Sequence, residues 1–325
     1  MVSTCGVGDC IPFRRKKISN LLIKKRYLID GGEGTQLGSG SYGRVYAGRC
    51  IETGTGVAVK IERRGRNSLQ KEADILISLK DAGVEVPSVY FSGKQGRYSL
   101  LVMDLLGPTL EDVLQLVCQY KPSGAKSFTL ITSIVIALRL LDNMQSLHMA
   151  GVVHRDIKPQ NFIFTLDPRE NRLALIDYGL SKKFSAIRAD TKTDKLIGTP
   201  RFASIKAHKG MAYSYGDDLE SLAYTLIYIA KGSLPWWDVD AETPQAGFEI
   251  MRRKKQTMSG PAIADGLPSV FGEMIDSARN LEFGTLPDYD RIRAGFRSQL
   301  IAHHGTGTPA DLAMIRCDWA VFADV

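Results

Sequence analysis

The sequence lacks an uninterrupted apolar run as long as the ~18 to 20 residues that a membrane-spanning helix needs. Its longest apolar stretch, LITSIVIALRLLDNM, is interrupted by Thr132, Ser133 and Arg139. We therefore expect no transmembrane helix.

Cysteine is sparse and shows no pairing pattern. The five cysteines of the 325-residue chain are odd in number, widely spaced and form no Cys-x-x-Cys motif. This pattern argues against a disulfide framework and against a cysteine-based zinc site. We interpret them as reduced thiols and expect an intracellular protein of the cytoplasm, the nucleus or both.

Net charge is nearly absent from the body of the chain. Residues 1–30 hold seven Lys or Arg and two Asp, a balance of +5 out of a total of +7, which leaves +2 for the other 295 residues. So low a charge argues against sequence-specific nucleic-acid binding. Separately, we expect the protein to be a monomer. Residues 1–30 have the composition of a basic N-terminal arm that could bind anionic lipid at a membrane surface or an acidic partner. A solvated tail has the same composition.

Two kinds of periodicity divide the rest of the chain. The strand-like segments are TQLGSG, RVYAGRC, GVAVKIE, VYFSG and SLLVMDLL, with one helical pattern among them whose apolar face is Leu69, Ala73, Ile75, Leu76 and Leu79. Longer helical patterns follow in EDVLQLVCQY, FTLITSIVIALRLLDNMQSLHMA and DDLESLAYTLIYIA. We predict an α+β protein with a small β-rich N-lobe (31–105), a larger helical C-lobe (106–300) and a short C-terminal extension (301–325).

A glycine-rich segment, GSGSYG at 38–43, has the spacing of a phosphate-binding loop. In a dinucleotide-binding fold such a loop lies between a strand and a helix, whereas here the strand-like RVYAGRC follows it. The pattern predicts a β-hairpin whose backbone N–H groups can lie over phosphates. Its simpler interpretation is a glycine-rich turn.

A lysine and a glutamate follow this loop at a suggestive spacing. Lys60 ends the apolar run VAV, and Glu72 lies on the inward face of the helical pattern. A pair between them would aim the ammonium group at phosphate oxygens. Asp74 competes for that role, but two positions along a helix place it on another face.

The segment HRDIKPQN at 154–161 places a carboxylate, a cation and an amide on one short stretch. A solvated surface loop is the simpler interpretation. In the functional one, Asp156 accepts the proton of an attacking hydroxyl, Lys158 neutralises a moving phosphoryl group, and Asn161 binds a metal ion. The strand-like LALIDYG then ends in Asp177, a second candidate metal ligand. Phosphoryl transfer needs mainly positioning and charge neutralisation, which this set supplies.

The ordered set of motifs is similar to the eukaryotic protein-kinase signature, with Tyr178 in place of the usual Phe after Asp177. Over nearly all of residues 30–300 the chain more narrowly resembles the casein kinase 1 family. The family-like stretches are VAVKIE, LLGPTLED, HRDIKPQNF, IDYGLSKKF, GTPRFASI, DDLESLAYTL, GSLPW and PDYDRIRAGF. AHKG at 207–210 is also similar to the vaccinia-related kinases, whose catalytic loop lacks the arginine that Arg155 retains here.

The resemblance implies a bilobal kinase fold that uses ATP and Mg²⁺. It implies catalytic roles for Asp156, Lys158, Lys60 and Glu72, metal binding by Asn161 and Asp177, and a substrate contact by Arg201. The residues it implies around the nucleotide are Leu37, Gly38, Ser39, Gly40, Ser41, Tyr42, Gly43, Val45, Ala58, Lys60, Met103, Asp104, Leu106, Ile163 and Ile176.

Three functions remain open at this point. The first is an active Ser/Thr protein kinase. The second is a pseudokinase or scaffold, which loss of Lys60, Asp156, Asn161 or Asp177 would favour, and all four are present. The third is a small-molecule phosphotransferase, which would lack GTPRFASI, a segment expected to receive a peptide.

One segment departs from the family. Members prefer substrates that already carry a phosphate or acidic residues before the target hydroxyl, and they read that charge with a basic pocket. Arg201 occupies the family's arginine position, but WDVDAETPQAG at 237–247 is acidic where the family has a Lys/Arg-rich run. We expect the preference for primed substrates to be weakened, unless the four basic residues at 252–255 rebuild the pocket.

Overall fold

The structure, a computed structural model, describes residues 21–29, 35–40, 43–63, 68–121, 124–165, 172–305, 315 and 317–319. The strands in these residues are β1 (Leu21–Ile23), β2 (Tyr27–Ile29), β3 (Gln36–Gly40), β4 (Gly43–Cys50), β5 (Gly56–Arg63), β6 (Val89–Gln95), β7 (Tyr98–Asp104), β8 (Val152–Val153), β9 (Phe162–Phe164), β10 (Leu173–Leu175) and β11 (Lys182–Lys183). The α-helices are α1 (Ser68–Asp81), α2 (Leu110–Tyr120), α3 (Leu130–Met149), α4 (Ile205–His208), α5 (Tyr215–Lys231), α6 (Pro244–Thr257), α7 (Gly260–Ile263), α8 (Ser269–Asn280) and α9 (Tyr289–His304).

The first of two compact units contains the described residues up to Gln70 together with Val89–Leu105 and Asp240–Phe248. Its seven strands pair antiparallel in the order β1-β2-β4-β5-β7-β6, with β3 added beside β4. The side chain of Gln95 on β6 bonds to Leu22 O (2.8 Å) and to Lys24 N (3.2 Å), which links the two ends of this strand order. The sheet is therefore curled around an apolar core.

Residues 21–29 differ from the sequence-based assignment to a basic arm, because they form β1 and β2. Ile23, Tyr27 and Ile29 are buried in the core of the sheet. Three-residue strands carry almost no periodicity, and the basic turn between them hides their apolar character. Lys24 and Lys25 in that turn both have positive φ angles, 50° and 56°. Residues 1–20 of the predicted arm lie outside the described residues.

The second unit contains Lys71–Ser88, Leu106–Val239 and the residues from Glu249 onward, and it is mainly helical. Within it α3 packs on α5 and α9, and α5 packs on α8. Among the described residues α3 is the one helix long and apolar enough to cross a membrane, but 61% of that apolar window is buried inside the structure. Such burial is typical of a core helix, so membrane insertion does not follow from its composition.

The last described residues pack against the helical unit. Asp318 accepts hydrogen bonds from the Thr129 amide (2.8 Å) and hydroxyl (2.7 Å) at the start of α3, and it pairs with Lys121 (2.9 Å). The Trp319 ring contacts Phe128 and Phe164 edge to face. Residues 317–319 thus stabilise the N-terminus of α3.

We predict that Asp318→Ala lowers the free energy of unfolding by about 1–3 kcal/mol, because it removes the acceptor of the Thr129 amide, of the Lys121 ammonium group and of the buried Thr132 hydroxyl. Burial alone would raise the pKa of Asp318, but the hydrogen bonds from Thr129, Lys121 and Thr132 outweigh it and hold the pKa below its ordinary value. The contribution is therefore present above pH ~4 and is lost as the pH falls through the lower folded-state pKa.

Urea unfolding at several pH values measures this difference. The control is Asp190→Ala, whose carboxylate is 71% exposed in a surface ion pair. Equal unfolding free energies for wild type and Asp318→Ala at pH 7 would contradict the prediction.

Candidate functional site

Asp156 is the centre of a hydrogen-bonded cluster in the loop 154–161. Its Oδ2 lies 2.7 Å from Lys158 Nζ, and its Oδ1 accepts the Thr199 hydroxyl at 2.7 Å. Lys158 Nζ also donates to Thr199 Oγ1 at 3.0 Å, which closes a triangle. The sequence predicted the first two residues, whereas Thr199 comes from a segment 43 positions away. One carboxylate, one ammonium and one hydroxyl are thus brought together.

Asn161 is fixed against the same carboxylate. Its side-chain nitrogen Nδ2 donates to Asp156 O (2.8 Å) and Oδ2 (3.3 Å), so the side-chain oxygen Oδ1 remains as an acceptor. Asp177 follows β10 in a left-handed conformation (φ 64°, ψ 65°), which is rare for a residue other than glycine. The Ile176 amide donates to Asn161 O at 2.9 Å, which joins the two segments.

Amide and carboxylate oxygens suit Mg²⁺, so these two side chains fit the predicted metal role. No group of three or more His, Cys, Asp or Glu in the described residues could hold a metal ion by itself. A cation bound by Asn161 and Asp177 would therefore need further oxygen ligands from water or phosphate.

The loop is held by Asp218, a residue to which the sequence assigned no role. The Asp218 carboxylate, fully buried on α5, accepts the backbone N–H groups of His154 (2.7 Å) and Arg155 (2.9 Å). It also accepts the Tyr213 hydroxyl (2.8 Å) and lies 3.2 Å from His148 Nε2. Burial alone would raise the pKa of Asp218, but the interactions with His148 and His154 outweigh it and lower the pKa. A buried aspartate early in a helix gives no sequence signal of its partners.

The first two residues of the loop have constrained conformations. His154 is fully buried, and burial lowers its pKa, so its ring is neutral. Nε2–H then donates to Ile176 O (3.0 Å), and Nδ1 accepts the Asp156 amide (3.3 Å). Arg155 has a φ of 71° and donates from Nε to Leu180 O (2.6 Å). Both side chains fasten the loop to the segment after β10.

Gly198 allows the segment with Thr199 to approach the loop. It has a φ of +91°, and a Cβ placed on it would lie 2.6 Å from Arg155 O. A side chain at this position would therefore push Thr199 away from Asp156.

In the first unit the predicted glycine-rich loop is a β-hairpin, with Gly38, Ser39 and Gly40 on β3 and Gly43 on β4. Gly43 has a φ of +134°, and a Cβ there would lie 2.4 Å from Ile61 O. Glycine is thus required at the turn. Ser41 and Tyr42 lie outside the described residues.

Strand register gathers the other predicted residues of this unit on one sheet face. Val45 pairs with Lys60, and Ala58 pairs with Met103, so these four side chains lie opposite the apolar core. Leu37, at a bulge in β3, is 52% exposed. The Asp104 carboxylate accepts the Tyr90 hydroxyl, which occupies its side chain and not its backbone. 

Lys60 and Glu72 are nearly fully buried, whereas Asp74 is exposed, as the helical spacing predicts. Buried charges need partners. Glu62, which the sequence did not single out, caps the start of α1 by accepting the Ser68 hydroxyl and the Leu69 amide.

The remaining predicted residues lie in the second unit. Ile163 in β9 forms a β-bridge with Thr109, Ile176 precedes Asp177, and Leu106 lies in the connecting segment after β7. The Arg201 guanidinium lies 4.2 Å from the centre of the Trp237 ring. Arg201 is exposed, and its guanidinium lies over an aromatic face.

Residues 32–276 match the family described as the protein kinase domain. The match covers well over half of the chain, and it includes strands β3 to β7 of the antiparallel sheet and the loop 154–161 of the helical C-terminal region. Kinase domains generally use ATP and Mg²⁺. The mixed α+β fold expected from the sequence is confirmed, and the chain belongs to the protein kinase domain family.

Proposed function

We propose that the chain is an intracellular, monomeric Ser/Thr protein kinase of the casein kinase 1 type, which transfers the γ-phosphoryl group of ATP to protein hydroxyls. The observation that carries the proposal is the triangle of Asp156, Lys158 and Thr199. A general base must lie within hydrogen-bond reach of the proton it accepts. Thr199 Oγ1, 2.7 Å from Asp156, marks a place where a hydroxyl is received at that distance.

In this proposal the peptide hydroxyl donates to Asp156, and Lys158 places a positive charge beside the phosphoryl group in transfer. Asn161 and Asp177 would hold Mg²⁺, which when bound neutralises phosphate oxygens. Lys60 would orient the phosphates, in the pairing with Glu72 that the sequence predicts. Leu106 and the backbone at Asp104 would bind the adenine ring of ATP. The retention of all these residues favours an enzyme over a pseudokinase or scaffold.

We predict that Asp156→Asn lowers kcat for a serine peptide by about 10²- to 10⁴-fold while MgATP still binds, because general-base catalysis contributes about that much. Initial rates with radiolabelled ATP, and nucleotide binding by calorimetry, measure the two quantities. The matched control is Asp190→Asn, an exposed carboxylate that pairs with Arg188 at the surface.

Near-wild-type turnover by Asp156→Asn would show that the base is assigned wrongly. MgATP binding without turnover by wild-type protein on casein and a peptide panel would support the pseudokinase alternative.

The substrate preference follows from the basic residues near Arg201. Arg252 and Arg253 both pair with Glu249, and Lys254 donates to Pro235 O at 3.1 Å. Lys255 is fully buried. The contacts of these four side chains thus argue against a rebuilt phosphate pocket beside Arg201.

We therefore expect a primed peptide, with phosphoserine three residues before the target, to be favoured by less than about tenfold in kcat/KM. The exposed Asp238 carboxylate follows Trp237, the ring under Arg201. A carboxylate ~8 Å from a substrate phosphate costs roughly 0.5–2 kcal/mol. Asp238→Lys should raise the primed advantage, and Glu273→Lys serves as a charge control on α8. A primed advantage of tens of fold in wild type would contradict this account.

The basic arm is proposed to bind anionic membranes. Four of its basic residues lie at 14–17, and Lys24, Lys25 and Arg26 are exposed in the β1–β2 turn. Each such charge contributes up to ~1 kcal/mol near an anionic surface.

We predict that removal of residues 1–20, which leaves β1 intact, weakens binding to phosphatidylserine vesicles at least about tenfold without changing peptide turnover. Vesicles of phosphatidylcholine alone are the control. Equal vesicle binding by both forms at low salt would contradict a lipid role, and binding of the full chain to both vesicle types would show that charge is not the cause.

A further inference from the structure

Lys255, in the last turn of α6, has no part in the chemistry described above, yet it is fully buried. Lysine is almost never fully buried unless its charge is compensated. Its surroundings therefore indicate a specific role.

The ammonium group is bound to the segment that carries Arg201. Lys255 Nζ donates to Pro200 O (2.8 Å) and Ala203 O (2.6 Å) and lies 3.2 Å from His208 Nε2. The two carbonyl oxygens accept two of the three protons of an ammonium group, and His208 Nε2, which also lies 3.0 Å from Pro200 O, accepts the third in the tautomer that carries its proton on Nδ1. The rings of Tyr224 and Trp236 lie 5.0 Å from Nζ and add cation–π stabilisation.

A second donor holds the same segment, residues 199–203, from the same side. Trp236 Nε1 donates to Arg201 O at 2.8 Å. Three of the carbonyl groups of residues 200–203 are thereby occupied by Lys255 and Trp236. At the start of this segment, Thr199 bonds to Asp156. The backbone around Arg201 is thus fixed relative to the catalytic carboxylate.

The charges around Lys255 do not compete for this contact. Arg279 pairs with Glu220 (3.2 Å) and donates to Lys255 O (2.8 Å). Burial lowers the pKa of Lys255 to about 7, which Glu220 opposes and Arg279 reinforces. Burial and the Lys255 charge lower the pKa of His208 to about 3, so its ring is neutral. A neutral amine keeps two protons for the two carbonyls, so the contact survives either state.

We propose that Lys255 and Trp236 are positioning residues for the peptide substrate, since they fix the backbone of residues 199–203 and thereby the place of Arg201. This inference rests on the proposed kinase function. In this proposal, two buried side chains keep the surface that receives the substrate in one conformation.

The first test is Lys255→Met, which keeps the length of the side chain and removes all three donors. We expect KM for a serine peptide to rise about tenfold or more, while KM for ATP stays within about twofold, because misplacement of a positioning group can cost up to about 10²-fold. The control is Lys254→Met, since its neighbour Lys254 is exposed and donates to Pro235 O alone among the contacts described.

A second readout does not depend on turnover. Amide hydrogen exchange should become faster in residues 199–204 of Lys255→Met and stay unchanged in the loop 154–161. Fluorescence anisotropy with a labelled peptide measures binding directly. If wild type binds peptide without turning it over, the proposed activity fails, and the exchange and binding measurements still decide the role of Lys255.

Unchanged peptide KM and unchanged exchange in folded Lys255→Met would overturn the inference. The inference would also be overturned if kcat fell and the KM values for peptide and ATP both rose together with a lower melting temperature. That pattern indicates general destabilisation. If Lys255→Met does not fold, Trp236→Phe, which removes the indole N–H together with part of the ring, decides by the same measurements. An unchanged peptide KM in that variant would then contradict the proposal.

Discussion

The buried carboxylate of Asp218 is the contact on which the candidate active site depends. Its oxygens accept two successive backbone N–H groups, those of His154 and Arg155. Arg155 has a positive φ of 71° at this point. The same carboxylate also contacts Nε2 of His148 on α3, and Nδ1 of that ring lies 2.6 Å from the Tyr289 hydroxyl on α9. Three core helices thus meet at the group that sets the position of Asp156.

The neighbouring carboxylate extends this arrangement to the peptide side. Asp217 caps the start of α5 by accepting the Ser214 amide, and it also accepts the Ser204 hydroxyl. Burial raises the pKa of Asp217 to about 7. Two adjacent residues on one helix therefore hold two segments, one that carries the proposed base and one that continues the Arg201 segment. Lys255 and Trp236 then fix what lies between them.

Much of the fold and of the site could be predicted from the sequence where the signal is local. The strands of the sheet from β3 to β7, the helices α1, α2, α3 and α5 and the loop 154–161 each have a recognisable pattern within one short segment. In α1 the expected apolar face is correct for Leu69, Leu76 and Leu79, whereas Ile75 is only partly buried.

The rest could not be predicted, because the partners lie far apart in the chain. Asp218 lies more than 60 positions from the backbone it holds, and Lys255 lies more than 50 positions from the carbonyl groups it binds. A buried lysine in a run of four basic residues looks like surface charge. The strands β1 and β2 were hidden for a different reason, since three residues are too few to show alternation.

The most direct test of this account is kcat for peptide phosphorylation by Asp218→Asn, measured at saturating MgATP and peptide. The amide at this position would turn one of two accepting oxygens into a donor facing backbone N–H groups. We predict that the variant binds MgATP and loses about 10²-fold or more in kcat, because the loop no longer holds Asp156 in place. A folded Asp218→Asn protein with kcat within about threefold of wild type would contradict the account.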